Sequence, residues 1–248
     1  PPESRAILYK DLRVFPRDLR NLQQLIFPLA LAGIWTFELL TDRSPLGRGG
    51  GPGFERFLDV AGSAGISFFV CLTISSALGG PSISREGRGF WLLRVAPISS
   101  WRLLLGKLVL AYLPFPTVGV LFVLFLSALR GSTFVELLRA LVLVLVVGLG
   151  VSSISLGMGA AFPKFDWENP RQQTTIRAGC LAPILYMLYV GVAVAAVFGL
   201  PALAVLIGAA WVVWLAAAGW LIVVALTAAV VWGSLALGAA RLDRIEVG

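Results

Sequence analysis

Between Arg177 and Arg241 the chain carries no Asp, Glu, Lys or Arg. No soluble core hides so long an uncharged stretch, because runs beyond about 18–20 apolar residues read as bilayer spans. The remainder agrees: 58% of the 248 residues are hydrophobic and 13% are charged, and mean hydropathy is +0.89, whereas soluble domains carry about 25% charged residues. The expected fold class is therefore an all-α membrane protein.

Five apolar segments have the length of a crossing: Leu22–Leu40, Val60–Leu78, Leu108–Leu129, Leu137–Phe162 and Ala178–Leu200. Pro201–Ala240 is about twice as long as one crossing needs. It can be divided as two crossings turning near Gly219, or as an outer re-entrant segment, 202–218, followed by one crossing, 219–240. Basic residues favour the second division. With the N-terminus in the cytoplasm and six crossings, only Arg43, Arg48, Arg56, Arg130 and Arg139 lie outside; seven crossings would move Arg241 and Arg244 out as well, against the positive-inside rule. The expectation is one transmembrane domain over 1–248 in the cytoplasmic (inner) membrane. In it, Trp211, Trp214 and Trp220 suit an outer interface or pack within the bundle.

The net charge of +7 follows from basic residues flanking the spans and does not call for nucleic acid. There is no histidine, which removes the commonest metal ligand and general base. Cys71 and Cys180 fall in apolar segments and read as small buried hydrophobes. The Pro1-Pro2-Glu3 opening shows no cleavable signal peptide, and the absence of an initial Met suggests numbering that begins inside a longer chain or after processing.

Residues 3–20 place Leu8, Leu12, Phe15 and Leu19 on one helical stripe, with Lys10, Arg13, Arg17 and Arg20 largely elsewhere. This is the pattern of an interfacial amphipathic helix, which Pro16 should kink. The loop 79–107 is too long for a turn. Its apolar run Phe90-Trp91-Leu92-Leu93 should be a short helix stopped by Pro97, with Ser99 or Ser100 capping the next helix. In the loop 163–177, Asp166 and Glu168 lack partners for acid–base or metal chemistry, and Phe165 and Trp167 read as interfacial anchors. Gly47, Gly49, Gly50, Gly51 and Gly53 make a flexible linker composition. The chain has no Gly-x-x-x-x-Gly-Lys-Ser/Thr phosphate-binding pattern, so no nucleotide site and no ATPase activity are expected in it. Glu38 can reach the outer interface, which leaves charge nearly absent from the membrane interior and counts against ion coupling. Gly148, Ser152, Ser155 and Gly159 form a small-residue face suited to close helix approach, either as packing within the chain or as the lining of a path.

Three features resemble the permease component of ABC exporters of the type V (ABC-2-type) fold. They are Lys10-Asp11-Leu12-Arg13 with Arg17-Asp18-Leu19-Arg20 before the first span, the series Arg85-Glu86-Gly87, Gly89-Phe90-Trp91-Leu92-Leu93, Ala96-Pro97-Ile98-Ser99 and Gly106-Lys107, and the uncharged extra length before the last span. The resemblance implies a permease that forms a translocation path as a homodimer or as one of two fused halves. It further implies a separate ATP-binding cassette subunit that holds ATP and Mg²⁺, and a coupling helix, Glu86–Pro97, seated on that subunit. Arg85, Glu86 and Arg88 would contact the ATPase, while Phe90 and Trp91 fix the helix to the membrane. A secondary transporter or channel and a non-transporting membrane scaffold stand as the competing classes.

Overall fold

The computed structural model describes residues 26, 30–37, 41, 52–89, 99–165, 173–206 and 211–244. Residues 30–37 are helical. Seven α-helices follow among the described residues: α1 (Pro52–Gly79), α2 (Ser100–Tyr112), α3 (Val120–Arg130), α4 (Phe134–Ala161), α5 (Ile176–Val194), α6 (Leu200–Leu206) and α7 (Val212–Asp243). Among the described residues there is no strand beyond an isolated bridge between Pro163 and Thr174. The interfacial helix expected over 3–20 lies outside the described residues, as do Glu38, the glycines of 47–51 and most of the span expected over 22–40.

Among the described residues, five helical stretches are long and apolar enough to cross a membrane: Ala64–Gly87, Ser100–Leu129, Phe134–Ala161, Ile176–Leu203 and Val212–Asp243. Two of them join elements through π-type turns, Phe115–Gly119 between α2 and α3 and Ala195–Gly199 between α5 and α6. Pro114 and Pro116 explain the first, since each removes an amide donor from the helical ladder. Here the Thr117 hydroxyl also donates to the Leu113 carbonyl at 2.8 Å, and Cys71 of α1 donates to that of Pro114 at 3.3 Å. The cysteine is thus buried and spent on backbone, whereas Cys180 is exposed.

The α3–α4 turn follows from local chemistry. Gly131, at φ 65°, ends α3 in the left-handed region open to glycine. Thr133 then opens α4 with a capping box: its hydroxyl accepts from the Glu136 amide, and the Glu136 carboxylate accepts from the Thr133 amide at 2.8 Å. At the other end Thr175 caps α5 by accepting from the Ala178 amide, and its hydroxyl donates to the Phe162 carbonyl at 3.1 Å. That single side chain binds the end of α4 to the start of α5.

The stretch expected to hold a re-entrant segment is divided differently. Residues 200–206 continue the preceding helix, and 212–218 are the first turns of α7. With 32 residues α7 runs about 48 Å, longer than the roughly 30 Å hydrocarbon core. Trp211 and Trp214 are exposed at its start, while Trp220 packs against the core.

The core is largely apolar but also buries several serines, while many large apolar side chains face outward. Ser67, Ser75, Ser152 and Ser153 are fully buried, whereas Met187 is 79% and Trp232 68% exposed. In water such a surface would be costly; in hydrocarbon it is the expected distribution, since lipid is as apolar as the side chains it meets. By length and composition, five of the described helical stretches could span a membrane. α4 is their axis, and every residue from Gly150 to Ala161 is buried.

Candidate functional site

The ends of α1, α4 and α7 and the starts of α2 and α5 gather on one side of the bundle. Ser100 donates to the Asp243 carboxylate at 2.5 Å, and the Lys164 amide donates to the Ser84 hydroxyl at 3.0 Å. This end holds Arg85, Lys107, Lys164, Arg177, Arg241 and Arg244.

Its centre is Lys107, on the buried face of α2 and 3% exposed. The ammonium group donates to the Glu86 carboxylate at 2.9 Å and to the Ser82 carbonyl at 3.0 Å. An unpaired ammonium at such a site carries a penalty of several kcal/mol, so the two acceptors are what permit a lysine there. Both come from the turn that follows α1. Ile83, fully buried, anchors that turn among Leu104, Leu108, Leu156 and Leu235. Arg85 closes it from the other side by donating to the Ala77 carbonyl at 2.7 Å. Gly87 then turns the chain at φ 50°, a backbone that a side chain at this position would strain.

The small-residue face of α4 supports the same turn. A Cβ at Gly159 would collide with the Gly80 carbonyl oxygen, and one at Gly79 would lie 2.9 Å from the Ser155 hydroxyl. Ser152 shares a 2.9 Å hydrogen bond with Ser75. Gly148 is filled by the ring of Phe115. All four members of the face therefore meet α1, the turn after it or the α2–α3 junction of the same chain.

Of the residues expected to couple to an ATPase, Arg85 and Glu86 are turned inward onto Ala77 and Lys107. The backbone of Arg88 lies in the helical turn Ser84–Gly89, and its side chain is outside the described residues, as are Phe90, Trp91 and Pro97. Ser99 precedes α2 but makes no capping hydrogen bond through its side chain. Phe165 packs beside the Ile83 cluster; Asp166, Trp167 and Glu168 are not among the described residues. Sequence reasoning passed over Ser82, Ile83 and Ser84, and treated Lys107 only as part of a motif at the edge of a span. The available signal was a lone lysine inside the apolar run Leu103–Leu113, since an ionisable residue there needs a partner.

A family model described as "Putative ATP-binding cassette" matches residues 1–247. The chain belongs to this ATP-binding cassette family. No curated protein and no solved structure matches it. Membership places the chain in an ABC transporter system and corrects the expectation of an exporter permease, because the family is described by an ATP-binding component. The motif behind that expectation explains how it arose. Glu86, Gly87 and Lys107 fold the loop onto α2, so their order and spacing have a role in internal packing. Among the described residues no group of three or more His, Cys, Asp or Glu could hold a metal ion.

Proposed function

We propose that this member of the family is a membrane-embedded component of an ABC transporter system, and that the turn Ser82–Glu86 clamped on Lys107 is the rigid element linking its charged end to the helical bundle. The observation that carries this is the buried pair itself. Lys107 belongs to a membrane-length helix and Glu86 to the turn leaving another, so neither end can shift without moving the other or exposing a charge. The charged end faces the cytoplasm by the distribution of arginine and lysine. The partner at that end is an ATP-binding cassette subunit that holds ATP and Mg²⁺, with a second copy of the chain alongside. Arg88 and the segment that follows it, with Phe90, Trp91 and Pro97, form the contact. ATP hydrolysis belongs to the partner, in keeping with the missing phosphate-loop pattern in this chain.

The test is purification in gentle detergent, with ATP turnover measured on the chain alone and on any complex. The expected result is a nucleotide-binding subunit in fixed ratio, turnover only when it is present, and cross-linking to it from Arg88→Cys. Stoichiometric binding and hydrolysis of ATP by the chain alone would overturn this proposal. It would favour a second reading, that nucleotide is bound here, for which the family description speaks.

A further inference from the structure

Beside the clamp lies a cavity of about 780 Å³, formed where α4 ends, α5 begins and α7 ends. Its described lining includes Lys164, Arg177, Arg241 and Arg244 and no carboxylate, together with apolar walls from Phe162 and Ile176. The nearby acid, Asp243, accepts from Ser100 on α2. The start of α5 adds the positive end of its helix dipole, while Thr175 covers the Phe162 carbonyl that would otherwise face the opening.

We infer that this cavity binds a phosphate-bearing anion, with a membrane phospholipid headgroup as its first source and a soluble phosphate as its second. Three arginines suit a phosphate group because each guanidinium presents a planar fork of donors. The site sits where apolar helices give way to charge, the level at which lipid headgroups lie, and basic pockets between spans on the cytoplasmic side accept such groups. Ile176, 86% exposed at the rim, offers an apolar surface for the first part of an acyl chain. The inference depends on membrane placement but not on an ATPase partner, so the two can fail separately.

The experiment reconstitutes the whole chain in phosphatidylcholine vesicles containing a minority of phosphatidylglycerol, extracts it gently and measures retained lipid by native mass spectrometry. Inorganic phosphate and MgATP are tested as competitors. The chain should retain phosphatidylglycerol in preference to phosphatidylcholine. Arg177→Gln with Arg241→Gln should weaken retention by roughly twentyfold or more, at about fivefold for each cation. The pair Arg177→Lys with Arg241→Lys should restore most of it and also shows that the fold survives changes at these positions. Arg139→Gln, near the opposite end of α4, should change nothing. If phosphate or MgATP displaces the lipid and binds with the same dependence on Arg177 and Arg241, the site stands with a soluble phosphate as its ligand. Equal retention by the wild type and the Gln pair, or equal loss in Arg139→Gln, overturns the inference.

Discussion

The two sides of α4 are packed by different means. Toward α1 the contact is partly polar: Ser152 meets Ser75 and Gly159 meets the Gly80 carbonyl, and the turn beyond is tied to α2 by the Glu86–Lys107 pair. Toward α7 it is steric. Gly157 lies against the Ser234 backbone and Gly238 against Ala160, so the two helices cross almost backbone to backbone. The nearest polar support on that side is one helix away, where the Tyr189 and Thr227 hydroxyls stand 2.6 Å apart. Lipid gives helices little hydrophobic reason to associate, so close fit and hydrogen bonds hold them together. Close fit alone tolerates small slides along a ridge. On the α1 side, Ser152 and Ser75 add a directional bond, and the charge pair holds the turn after α1 in register with α2 beside it. The α1 side is therefore built to keep its register, and the α7 side to hold distance.

The largest test removes the charge that distinguishes the two sides. Lys107→Ala leaves Glu86 without its partner and should cost about 3–5 kcal/mol, whereas Lys107→Met with Glu86→Leu should recover much of that loss. Unfolding of the purified chain in mixed detergent micelles measures both. If the single and double variants lose the same stability, the pair is not what fixes the α1 side. Next come Gly159→Val and Gly157→Val, one on each side, each overpacked by about 1–3 kcal/mol or more. Both should destabilise, but only Gly159→Val should displace the turn, read as faster thiol labelling of a reporter in Ser84→Cys. Equal labelling in the two variants would erase the contrast. The smallest effects belong to Ser152→Ala and Thr227→Val, each expected near 0.6 kcal/mol, the usual worth of a hydrogen bond between spans. A loss of several kcal/mol in either would mean that one hydrogen bond outweighs the surrounding packing.

Much of the fold was legible in the sequence. All five membrane-length helices overlap segments marked by hydropathy, but only Phe134–Ala161 and Ile176–Leu203 lie close to the expected bounds at both ends. The beginning of α1 was not legible: the glycine-rich stretch up to Arg56 reads as a linker, yet the helix opens at Pro52, as a proline in the first turn allows. At the candidate site, Glu86, Gly87 and Lys107 stood out as a pattern while the direction in which they act did not. Arg85 and Glu86 look like surface charges in any local window. Glu86 turns inward because α2 carries a lysine at the height of the turn, and Arg85 because its guanidinium reaches back to the Ala77 carbonyl.

What the amino-acid order determined by itself is the solvent. The cost of leaving a charge in hydrocarbon is a property of single residues summed along a helix, so a stretch with none between Arg177 and Arg241 makes a bilayer the fitting solvent before any helix meets another. Which small residues face which neighbour, where Pro201–Ala240 divides, and that Lys107 finds Glu86 were decided only by tertiary structure. Those outcomes depend on crossing angle and register between helices far apart in the chain, and no local sum contains them.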